Sequence, residues 1–202
     1  ALAEAQREHE SARAAHEAQV AQRNVEVDDF STAYHQRDPK ALVGYSTMVL
    51  ERSDYPEGFP QEFRVAYVPE SKELVVDYEI PGPDVVPKIT EVRYVKTKNT
   101  LEEKPRKVAE IKDIYQDLVA AIALRTCHEL FEADQGQHLA VIAFNGFVQT
   151  VDPSTGRDIR PCLISLRVAR ERFQGIDLNR ADKKVCLRNL GAQVSPGPYE
   201  VQ

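Results

Sequence analysis

The sequence has no run of 18 apolar residues, which excludes a membrane-spanning helix. No signal-peptide pattern opens it. Cysteine is scarce: Cys127, Cys162 and Cys186 are far apart, odd in number and without CxxC spacing. That argues against a disulfide framework and a zinc site, and for reduced thiols in a cytoplasmic protein. Glycine never clusters. Gly146 and Gly156 stand alone and read as a strand kink and a turn, so there is no phosphate-cradling loop. No Ser occupies a GxSxG elbow, and "CHELFE" is HExxE rather than the HExxH of zinc proteases. Cys127 and His128 are neighbours on one helix and point to different sides, so they form no dyad with each other.

What is present is charge, unevenly spread. The net charge of -6 opposes a protein that coats nucleic acid through bulk charge. Residues 51 to 84 hold nine acids and three bases, residues 88 to 107 seven bases and three acids, and residues 157 to 188 nine bases and four acids. A solvated mixed surface accounts for most of this, and a basic face set against an acidic one is the sharper reading.

Residues 1 to 37 are rich in Ala, Glu, Gln and Arg and contain no Pro or Gly. They predict a long helical arm whose first half is exposed. Its apolar stripe is thin, with Val20, Val27, Phe30 and Tyr34 as the packing residues. Anchoring is expected over about the last three turns. The arm can be the end of a coiled coil, although His9 and His16 fall on the seam. A second helix starts at Asp38 and Pro39, a cap and a first-turn proline. "FRVAYV" and "ELVVDYEI" flank "PESK" as a hairpin, and "TEVRYVKT" reads as a third strand. Residues 105 to 134 carry a helical stripe of Val108, Ile111, Tyr115, Leu118 and Ile122. Thr100 and Glu103 have capping-box spacing, and Gly136 can end the helix. "HLAVIAFNGFVQTV" and "RDIRPCLISLRVAR" form two strands about "DPSTG". A short helix follows, with Asp182 as cap and Gly191 as stop.

The order predicts an α+β fold, a mainly antiparallel five-strand sheet with a long crossing helix, preceded by the arm. Residues 1–37 form the arm and residues 38–202 the α+β domain. Both ends of the sequence are expected to be cut from a longer protein.

An α-β-β-β-α-β order invites comparison with PD-(D/E)XK nucleases. There, an Asp on the second strand and an acid-x-Lys on the third hold a divalent metal. Asp77 and the pair Glu91-x-Arg93 occupy those places. Arg93 is a poor stand-in for Lys because it stays protonated. The solvent face of an antiparallel sheet produces the same alternation by default. A second match, Asp84 with Glu102-x-Lys104, falls in polar loop sequence. No metal ligands and no cofactor are therefore expected in these residues, with Asp77, Glu91 and Arg93 as the alternative. Lys96, Lys98, Lys104, Arg106 and Lys107 cluster before the long helix, where helix N–H groups also favour phosphate. Arg167, Arg170 and Arg172 extend the patch as DNA-binding candidates, against a plain solvated loop as the alternative.

"YVPESKELVVDYEIPGPDVVPKITEVRYVKTKNTLEEKPRK", "ALRTCHELFEAD", "VIAFNGFVQTVDPSTGRDIRPCLISLRV" and "CLRNLGAQVSPGPYEVQ" resemble, in that order, the pre-catalytic region of actinobacterial Mrr-like restriction proteins. The likeness runs from about Arg23 to Gln202. It implies that a PD-(D/E)XK nuclease domain requiring Mg2+ follows, and that the catalytic residues lie there. It also implies a non-catalytic role here, in DNA association, sensing or assembly. A homo-oligomer formed through the N-terminal helix is the expected partner arrangement. A pure dimerisation module and a degenerate nuclease around Asp77, Glu91 and Arg93 are the alternatives.

Overall fold

Helix α1 (Leu2–His35) is uninterrupted, as its Ala-rich, Pro-free and Gly-free sequence dictates. The computed structural model describes residues 2–96, 99–152 and 154–197, with side chains from residue 6 onward. Pairs at i,i+4 reinforce the helix surface, with Arg13 bonded to Glu17 at 2.8 Å and Gln22 to Glu26 at 3.0 Å. The chain turns at Arg37, whose φ of 63° lies in the left-handed region. The Asp38 carboxylate then accepts the Ala41 N–H at 2.9 Å and caps α2 (Pro39–Glu51).

Two compact units follow from the internal contacts, Ala1–Tyr45 and Ser46–Gln202, so the division falls inside α2. In the first unit Tyr34 is buried and its ring lies 4.7 Å from that of Tyr45. A Cβ on Gly44 would come within 3.3 Å of the Phe30 ring. The expected anchor is shorter than three turns. Phe30 is half-buried, whereas Val20 and Val27 are exposed at 43% and 58%. Valines seven residues apart in polar surroundings supply no continuous apolar stripe.

The second unit is α+β. After α2 come β1 (Phe63–Val68), β2 (Glu73–Glu79), β3 (Ile89–Val95), β4 (Thr100–Pro105) and α3 (Val108–Ala133). Then follow β5 (Val141–Phe147), the short β6 (Thr150–Val151) and β7 (Asp158–Ile159), and β8 (Cys162–Ala169). Helices α4 (Arg170–Gln174) and α5 (Lys183–Leu190) and strand β9 (Gln193–Val194) complete it. The main sheet has the order β1-β2-β5-β8-β9 and is mixed: β2 and β5 run parallel, and every other pair is antiparallel. A parallel pair needs a crossover, and α3 lies between the two strands in the chain. Leu74, Val76, Tyr78, Ile142, Phe144, Leu163 and Leu166 face the core together with Tyr115, Val119, Ile122 and Leu130 of α3. Gly146 allows close packing there, since a Cβ would meet Ile80 at 2.3 Å and Ile164 at 2.8 Å.

Further expectations need correction. "TEVRYVKT" is not a strand of the main sheet. It forms a separate two-stranded hairpin, β3 with β4, and β9 supplies the fifth strand instead. With charged residues on one side and Val92 and Tyr94 exposed on the other, β3 has no buried face to pack into a central position. Thr100 and Glu103 lie on β4 and cap nothing. Lys107 precedes α3 without a side-chain cap, and the Arg106 N–H bonds the Lys88 carbonyl at 2.7 Å. The helix closes at Asp134 rather than at Gly136, and Val108 of its expected stripe is exposed. Asp182 and Gly191 do frame α5: the Asp182 carboxylate accepts the Val185 N–H, and Gly191 has a φ of 83°.

Candidate functional site

One face of the main sheet packs against α3 and α5, and the other carries its polar residues in rows. Strand register aligns Arg64, Asp77, Asn145 and Ser165 across β1, β2, β5 and β8. The Asn145 amide donates to Asp77 at 3.0 Å, and the Ser165 hydroxyl donates to the Asn145 carbonyl oxygen at 2.9 Å. Two ion pairs flank this row. Arg167 grips both oxygens of Glu73 at 2.7 and 2.9 Å. Arg160 donates to Glu79 at 2.8 Å and lies 4.0 Å above the Phe147 ring. Glu79 is buried, and its second carboxylate oxygen has no hydrogen-bond partner among the described residues.

The row orders the sheet and does not activate a nucleophile. The Ser165 hydroxyl donates to an amide oxygen, and among the described residues the row's hydrogen bonds run only through Asp77, Asn145 and Ser165. Cys162 has its thiol pKa raised, chiefly by burial and further by Asp77, and the opposing pull of Arg160 does not reverse this. Burial pushes the Cys127 thiol up to about 12. Its neighbour His128 is exposed and lies 3.2 Å from Glu132. Among the described residues no group of three or more His, Cys, Asp or Glu side chains is placed to hold a metal ion.

The sequence-derived candidates are scattered. Asp77 belongs to the main sheet and hydrogen-bonds Asn145, while Glu91 and Arg93 sit on the hairpin opposite Lys104 and Glu102. The three do not share a sheet, which removes the adjacency that a strand-borne metal motif needs. Asp84 pairs with Lys88 at 2.8 Å in an exposed ion pair, and Glu102 and Lys104 lie on β4.

Of the DNA-binding candidates, Lys96, Lys104 and Lys107 are exposed, and Lys98 lies outside the described residues. Arg106 is tied to the Pro87 carbonyl at 3.1 Å. Arg167 is engaged by Glu73, and Arg172 donates to the Asn189 carbonyl. Arg170 is a structural residue rather than part of a basic surface. It is buried, donates to the Leu139 and Phe131 carbonyls at 2.8 Å each, and pairs with Asp134. Asp134 in turn accepts the His138 and Leu139 N–H groups, so this knot joins the end of α3 to the start of β5.

Sequence reading did not single out Asn145 and Ser165. The available signal was a lone amide in "VIAFNGF" and a lone hydroxyl in "CLISLRV", each breaking an apolar strand on the same face. No family model matches the chain, and neither a curated protein nor a solved structure matches it. No helix among the described residues is long and apolar enough to cross a membrane.

Proposed function

We propose that this chain is a non-catalytic assembly region of a DNA-cleaving restriction protein that works in the cytoplasm. The observation that carries the assembly role is α1, which is exposed from residue 6 to residue 29. Helices in proteins owe most of their stability to packing, and this one is exposed over that length. Val20, Val25 and Val27 are left for a second chain to cover. The restriction role rests on the family resemblance, which assigns cleavage and the Mg2+ requirement to a nuclease domain outside these residues. Light scattering on the chain with and without residues 1–37 tests the assembly role. A dimer or larger species is expected with the arm and a monomer without it. An unchanged monomer in both samples overturns the reading.

DNA association is a second reading, supported by the exposed Lys96, Lys104 and Lys107 on the hairpin and before α3. Replacing all three with Gln should weaken a salt-dependent shift of duplex DNA and flatten its salt slope by about 2–3. Equal shifts by both proteins would assign any binding elsewhere. The degenerate-nuclease alternative has the least support, because Asp77 and Glu91 lie on different sheets.

A further inference from the structure

Beyond that reading, and independently of it, the geometry points to a binding site for a small amphipathic anion, an alkyl or aryl carboxylate or sulfonate, on the outer side of α3. A cavity of about 410 Å3 opens there between the loop after α2, the helix and the segment that leads into α5. Small-molecule sites fall in the range of ~300–1,000 Å3, with mostly apolar walls and few polar groups. This one has a flat aromatic wall, since the rings of Tyr55 and Phe59 stack 5.9 Å apart at 18°. Leu118 and Ala121 of α3 line it too, and both are half-buried.

The charges on the wall have one sign. Arg125 and Lys183 carry them, the His128 imidazole lines the cavity beside them, and among the described residues no Asp or Glu does. Their acidic partners Glu129, Glu132 and Asp117 lie outside the lining. Arg125 spends Nε on Glu129 at 2.6 Å and Nη1 on the Asp54 carbonyl at 2.8 Å, and its guanidinium lies 4.5 Å above the Tyr55 ring. Lys183 spends one donor on Asp117 at 2.6 Å. A guanidinium has five N–H donors and an ammonium three, so both retain donors for an incoming anion without breaking these pairs. An amine of the same shape would instead meet the two cations Arg125 and Lys183. The apolar body lies against Leu118, Ala121 and the aromatic wall, and the anionic head takes the remaining N–H groups.

Calorimetric titration of the full chain at neutral pH with decanoate, decanol and decyltrimethylammonium tests the assignment. Saturable one-to-one binding of decanoate is expected, at least about tenfold tighter than the cationic isostere. Ala121→Trp, which puts an indole on the lining, should abolish binding while circular dichroism remains that of the parent. Lys183→Gln should weaken decanoate about three- to tenfold and leave decanol unchanged. No saturable binding, equal affinity for the anionic and cationic ligands, or full binding by folded Ala121→Trp would overturn the proposal. If Ala121→Trp does not fold, the charge-reversed ligand and Lys183→Gln still decide it.

Discussion

Helix α1 runs 34 residues and α3 runs 26, yet only α3 forms a wall of the core. Both are rich in good helix formers. In α3, Ile111, Tyr115, Val119, Ile122 and Leu130 recur at helical spacing and are all buried. In α1, small alanines alternate with charged residues, and burial begins only at Phe30. Both sequences thus favour helix, and side-chain volume on one face decides which of the two the core buries. A helix left over in this way is available to another chain.

The contrast can be broken most severely at the end of α3. Arg170→Leu leaves Asp134 buried without its cation and should cost about 3–5 kcal/mol in denaturant unfolding. An effect close to zero would mean that the knot is not needed to join α3 to β5. Ile122→Ala on the core face of α3 should cost about 2–5 kcal/mol. Phe30 is half-buried beside Gly44, so Phe30→Ala should cost only about 1–2 kcal/mol. Val20→Asp should leave the stability of the monomer within about 0.5 kcal/mol and weaken association alone, as read by light scattering across concentrations. A large loss of monomer stability would place Val20 in a core of its own.

Two smaller effects sharpen the difference between covered and open surfaces. Of the cysteines, Cys162 alone is exposed, so it should react first with a thiol reagent, and Cys127 should stay unmodified until unfolding. On the open sheet face, the hydrogen bond from Arg167 holds the Glu73 carboxyl below its ordinary value of 4.5. A depressed folded-state pKa adds stability above the unfolded value, and that stability is lost as pH falls through the folded one. The stability gap between the parent and Arg167→Gln should therefore be constant near neutrality and shrink as pH drops below 4.5. A gap that widened in acid would contradict the pairing.

The local devices were legible in the sequence because they depend on neighbours along the chain. The long arm, the Asp38 and Asp182 caps, the Gly191 stop and the buried stripe of α3 are all of this kind. The α+β class followed from the order of elements. The apparent capping box at Thr100 and Glu103 misled because the same residues fit an exposed strand, and only pairing with β3 assigns them to one. The patch candidates part company for a related reason. Arg167, Arg170 and Lys104 look alike in sequence, yet one is held by Glu73, one is buried against Asp134 and one is exposed.

What the sequence determined by itself is therefore where the long helices and the longer strands form, since propensity, periodicity and caps act over a few residues. Tertiary structure alone decided that β3 leaves the main sheet, that β2 and β5 run parallel, and that Asp77, Asn145 and Ser165 fall in one row. It also brought the Tyr55 loop, α3 and Lys183 around one cavity. Those outcomes depend on which surfaces find a covering partner, and residues far apart in the chain settle that together.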